Sequence, residues 1–83
     1  KTDFFLISFF NQKYIGYDKV AKLIDEYESK NDKNIFIPVI AGKYSNPTIL
    51  KRVIMQEIAD CKENIGLTEF LKCRESQTLF INF

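Results

Sequence analysis

A chain of 83 residues folds as one domain, and at that size only about 60% of the unfolded surface is buried, so the core has little to spare. Apolar residues make up 46% of the chain, with eight Phe and four Tyr, a composition that belongs to globular chains and excludes intrinsic disorder. Twelve Lys and Arg against eleven Asp and Glu leave a net charge of +1; no bulk field gathers nucleic acid or an anionic membrane, and no apolar run reaches the roughly 20 residues of a membrane span.

From Phe4 to Phe10 there is one polar residue, Ser8. The run is short, aromatic and apolar at both its even positions (Phe4, Leu6, Phe10) and its odd ones (Phe5, Ile7, Phe9), which is the pattern of a strand covered on both faces. It is expected to be the central strand. A polar loop, Asn11 to Gly16, follows. Asp18 then suits the first turn of a helix whose apolar stripe is Val20, Leu23, Ile24 and Tyr27, and whose outer face carries Lys19, Lys22, Asp25, Glu26 and Glu28.

After the polar cluster Ser29 to Asn34, the segment Ile35 to Ile40 reads as a second strand. Pro38 interrupts it and cannot donate to a ladder, so this strand is expected at an edge or at a bulge. Beyond the loop Ala41 to Asn46, Asn46 and Pro47 read as N-cap and first residue of a long second helix. Its stripe is Leu50, Val53, Ile54, Ile58, Cys61 and Ile65, and Gly66 stands where a left-handed stop would end it. Leu67 to Cys73 reads as a short third helix starting at Thr68, and Thr78 to Phe83 as a third strand with Leu79, Ile81 and Phe83 on one face.

The resulting order argues for a small three-stranded, mainly parallel α/β sheet in the order 2-1-3, with the two main helices on opposite faces. The alternative is a split β-α-β arrangement with one antiparallel strand and both helices on one face. Residues 1–83 then form a single α/β domain, either entire or half of a larger or dimeric unit, because a three-stranded sheet leaves two edges open.

Histidine is absent, which removes the commonest general base, the serine and cysteine triads and most metal sites. Cys61 and Cys73 match no zinc or redox spacing and read as two free thiols. The chain is therefore not expected to be an enzyme or to carry a cofactor or metal. Without the pattern of a signal peptide it is expected in the cytoplasm. The stretch Phe4 through Asn11 resembles the first strand and loop of Toll-like receptor domains and nucleoside deoxyribosyltransferases. The chain lacks an active-site glutamate constellation, and no activity is carried over from that resemblance.

In a parallel sheet, ligands bind beyond the carboxyl ends of the strands. That rim would carry Asn11, Lys13 and Tyr14 after the first strand and Lys43, Tyr44 and Asn46 after the second. Each loop offers a lysine followed by a tyrosine and opens a helix, so cations, rings and helix N-termini would converge there. The leading expectation is a small non-enzymatic binding or regulatory protein that acts through contact with another protein, of the accessory-inhibitor type that mobile elements encode. A homodimer is a further expected partner, whereas membrane and nucleic acid are not. The alternative is a nucleotide- or phosphate-binding α/β half-domain, completed by dimerisation or by a longer chain.

Overall fold

A computed structural model of the protein describes residues 4–9, 12–30, 32–61 and 66–83. The elements in chain order are β1 (Phe4–Ile7), α1 (Tyr17–Ser29), β2 (Ile35–Ile40), β3 (Lys43–Tyr44), β4 (Thr48–Lys51), α2 (Arg52–Asp60), α3 (Leu67–Lys72), a 3₁₀ turn (Glu75–Gln77) and β5 (Thr78–Asn82).

The sheet is organised around β2. Successive side chains of a strand point to opposite faces, and both faces of β2 are apolar. Ile35 and Ile37 pack with Leu50, Ile54, Phe70 and Leu71, under α2 and α3. Phe36 packs with Ile15, Leu23, Ile49 and Ile81, under α1. Leu23, Ile35, Phe36, Ile49, Leu50 and Ile54 are all 0% exposed, so the sheet has two cores, one on each face.

This architecture corrects the three-stranded parallel sheet of order 2-1-3. Five strands form one mixed sheet, mostly antiparallel, with four of them in the order β1-β4-β2-β5. β1 pairs antiparallel with β4, β4 antiparallel with β2, and β2 parallel with β5. The first strand is thus at an edge, and the proline-bearing strand lies inside the sheet. The physical reason is that two-sided apolarity reports helices on both faces and says nothing about how many edges of a strand are paired. Phe4 joins the α1 core and Ile7 the α2/α3 core, although no described strand pairs with the outer edge of β1.

Pro38 is accommodated without leaving the centre. A strand residue directs its N–H and C=O toward the same neighbour, and the Pro38 carbonyl accepts from the Ser45 N–H at 2.8 Å. The position of its missing amide hydrogen therefore faces the β3–β4 side. There the return strand bulges: Val39 pairs Tyr44 and Phe36 pairs Ile49, so Ile37 and Pro38 lie opposite the four residues Ser45, Asn46, Pro47 and Thr48. The Asn46–Pro47 peptide is cis.

The second long helix is corrected too. Ile40 and Lys43 close a two-residue hairpin whose central residues, Ala41 (φ 52°) and Gly42 (φ 78°), both have positive φ. That is the geometry of a type I′ turn, whose twist matches that of a hairpin. The chain consequently returns as β3 and β4, and the helix starts only at Arg52. Ile49 and Leu50 are adjacent, fully buried and assigned to opposite cores, which a strand achieves directly. α2 ends at Asp60; Ile65 lies outside the described residues. Gly66 is the extended residue before α3, with φ −71° and ψ 160°, and not a left-handed stop.

Candidate functional site

Asn46 joins the two loops expected to form the rim. It is 5% exposed. Its Oδ1 accepts from the Phe9 N–H at 2.8 Å, while its Nδ2 donates to the Phe9 carbonyl at 2.6 Å and to the Gln12 carbonyl at 2.9 Å. The primary amide of the side chain thus pairs with Phe9 as a neighbouring strand would. The backbone continues the pairing: Asn46 N–H donates to the Lys13 carbonyl at 2.6 Å, and Ile15 N–H donates to the Asn46 carbonyl at 2.8 Å, with Tyr14 and Asn46 forming a parallel bridge. Asn46 therefore acts as a staple that builds the rim, with its side-chain donors turned inward. Asn11 lies outside the described residues.

The two Lys-Tyr pairs are brought to one end of the sheet but diverge from it. Tyr14, 51% exposed, sits edge-on against Tyr17 at the start of α1, with 5.8 Å between ring centroids. Tyr44, 48% exposed, stacks on Phe80 of β5 at 5.5 Å, reaching across β2 on the α2/α3 side. Lys13 and Lys43 are exposed. Only the first loop opens a helix; the second is a hairpin turn, so the expected pair of converging helix N-termini is replaced by one.

Next to Tyr44 is a recess of about 50 Å³ between α3 and the sheet. Ile37, Leu71 and Phe80 contribute apolar lining, Phe9 and Tyr44 flank them, and Lys72 and Glu75 bring charges of opposite sign. Lys13, Tyr14, Lys43 and Asn46 are not among its lining residues. Two buried threonines, Thr48 and Thr78, also line it. The Thr78 hydroxyl is committed to the Arg74 carbonyl at 3.1 Å. Sequence reasoning missed this recess because α3 has to cross the sheet to make it; the threonines that open β4 and β5 were the one local sign.

A clasp around Arg74 holds the α3 wall in place. Its Nε donates to Glu57 Oε1 of α2 at 2.7 Å and its guanidinium donates to the Phe70 carbonyl at 3.1 Å. The same group lies 3.5 Å over the Phe70 ring, a cation–π contact on a buried ring. Neither Cys61, half-buried, nor Cys73, exposed, is in a disulfide. Among the described residues no group of three or more His, Cys, Asp and Glu is placed to hold a metal ion, and no helix is long and apolar enough to cross a membrane.

Comparison of the chain with protein-family models, with curated proteins and with solved structures finds no significant match. The functional reading therefore rests on the geometry of the rim and the recess.

Proposed function

We propose that the protein is a small non-enzymatic binding or regulatory module that engages another protein through the Tyr44 side of the rim. The observation that carries this reading is the size of the recess beside Tyr44, about 50 Å³. Small-molecule and cofactor sites occupy about 300–1,000 Å³, so a nucleotide would have to lie on the surface, whereas about 10–15 Å³ on this measure accommodates one water-sized atom. Three to five such atoms are the size of one aliphatic side chain, which suits an anchor residue presented by a partner. Tyr44 adds a half-exposed ring held in place by Phe80, the kind of large and conformationally restricted contact favoured in binding sites.

Charge narrows the partner. Lys13, Lys43 and Lys72 are exposed at this end of the sheet, against Glu75 and against Glu69, which pairs with Lys72 at 3.9 Å; the small remaining excess of positive charge favours an acidic segment flanking the anchor. The nucleotide alternative loses one of its supports, because Lys43 to Asn46 do not precede a helix.

The test compares quantitative affinity capture by the wild type with capture by Tyr44→Ala, by Thr68→Leu, which plugs the recess from an exposed position on α3, and by the double reversal Asp25→Lys, Glu28→Lys on the α1 surface. A protein depleted by the first two variants and retained by the third supports the proposal. Thermal shift against nucleoside mono-, di- and triphosphates runs alongside; a ligand at a hundred times its Kd adds about 2.7 kcal/mol, and a shift of that order with any nucleotide would overturn the protein-binding reading in favour of the alternative.

A further inference from the structure

β5 pairs with β2 on one side, and no described strand pairs with its other edge. The register fixes which backbone groups are turned outward. Val39 lies opposite Asn82, and Phe83 N–H donates to the Val39 carbonyl at 2.9 Å. In a parallel ladder a residue bonds to the two residues that flank its partner. Leu79, Ile81 and Phe83 therefore direct their amides toward β2, and Phe80 and Asn82 direct theirs outward. Thr78 does not extend the free row, because its N–H already donates to the Glu75 carbonyl.

Natural sheets protect an open edge with charge, proline, a bulge or a covering loop. From Thr78 to Phe83 there is no charged residue and no proline, and the five β5 residues pair with β2 in an unbroken register. The other edge strand is different in this respect: Lys1 and Asp3 stand immediately before β1 in the sequence. The strand itself therefore carries no charge to repel a second copy, although on the α1 side Lys22 places its Nζ 5.9 Å over the Phe83 ring.

We propose that the outer edge of β5 pairs antiparallel with the same edge of a second copy of the chain, in the register that sets Phe80 opposite Asn82. The two-fold axis then passes at Ile81. Phe80 and Asn82 of each copy exchange N–H and C=O hydrogen bonds with their counterparts, which uses all the outward groups identified above. On the α1 side, Ile81 meets its own copy and Leu79 meets Phe83, so the contacts are apolar; on the other side Phe80 meets Asn82. One edge-to-edge contact is at the small end of specific interfaces, so the dimer is expected to dissociate in the micromolar range. Phe80 also lines the recess and stacks on Tyr44, so the two surfaces adjoin, but the assembly rests on the backbone edge of β5 and not on the reading of the recess.

Sedimentation equilibrium of the wild type and of Asn82→Lys, over loading concentrations from about 1 µM to about 1 mM to span such an interface, tests the proposal. The wild-type mass is expected to rise from 9.8 kDa toward twice that value, while Asn82→Lys remains monomeric with an unchanged melting temperature. Amide exchange of the wild type guards against a variant that does not fold. The Phe80 and Asn82 amides should slow with concentration, and those of Phe4 and Leu6 on the other edge strand should not. A wild type that stays at 9.8 kDa throughout, a folded Asn82→Lys that associates like the wild type, or concentration-dependent protection on β1 in place of β5 would each overturn it.

Discussion

Replacing Asn46 with alanine should cost far more than its loop position suggests. The substitution removes the acceptor for the Phe9 amide and the two donors to the Phe9 and Gln12 carbonyls. Each such bond contributes about 0.5–1.5 kcal/mol net, so the three together amount to about 2–4 kcal/mol. A domain of 83 residues has about 4–12 kcal/mol in all, and in this size range 1 kcal/mol moves the melting temperature by about 4–8 °C. A fall of about 10–25 °C in a calorimetric or circular-dichroism melt follows. Asn46→Asp separates hydrogen bonding from packing, since it keeps the shape but turns lone pairs toward two carbonyls that need donors; it should be at least as unstable as Asn46→Ala at neutral pH. If both variants melted within about 3 °C of the wild type, well below the smallest shift that three lost bonds of this kind predict, the staple would be dispensable and the rim would be held by other contacts.

Phe36→Ala, in the centre of the sheet at 0% exposure, should cost about 3–5 kcal/mol, whereas Leu6→Ala on the exposed position of β1 should cost well under that; urea titration of the two variants makes the comparison. Arg74→Lys keeps the charge but loses the fork that reaches both Glu57 and the Phe70 carbonyl, so a loss of about 1–2 kcal/mol is expected, and a wild-type midpoint would mean the clasp contributes only surface charge. Ala41→Asn should stabilise the chain by about 0.5–1 kcal/mol, because the residue already sits at φ 52° in a turn that favours Asn before Gly; a lower melting temperature would contradict the type I′ assignment.

Apolar patterning was the legible part of this fold. The stripe Val20, Leu23, Ile24 and Tyr27 does face a core, with Leu23 completely buried, and Leu79, Ile81 and Phe83 do share the α1 face. Neighbour relations were not legible in the same way. The six apolar residues of β2 and the apolar run through β1 look alike in sequence, and what separates centre from edge is whether a partner strand exists for each side. That partner, β4, was hidden because Leu50, Val53, Ile54 and Ile58 continue the helical spacing of α2 backward into Thr48–Lys51. The Ala41–Gly42 turn between two apolar segments was the local signal that could have exposed the hairpin, and the β-branched pair Thr48-Ile49 agreed with it. Of the rim, Tyr44 could be picked out as an exposed aromatic in a loop; its contact with Phe80 could not, since it depends on β3 and β5 flanking the same strand.

The insertion of β4 between β1 and β2 also dictates how the chain can assemble. β1, α1 and β2 are consecutive, yet the two strands lie about 9–10 Å apart, the width of two strand spacings, with no backbone contact between them until the return strand fills the slot. The first forty residues therefore cannot close a sheet of their own. During synthesis the aromatic N-terminal segment must wait, apolar and unpaired, until residues such as Lys51, the partner of Phe4, have been made. The β2 hairpin, closed by a two-residue turn, is the local unit able to form early, and β1 docks onto it across the whole length of α1, a non-local step of the kind that slows folding. An interval of exposed hydrophobic chain is thus built into the topology, and it would favour capture by a chaperone before it favours the native fold.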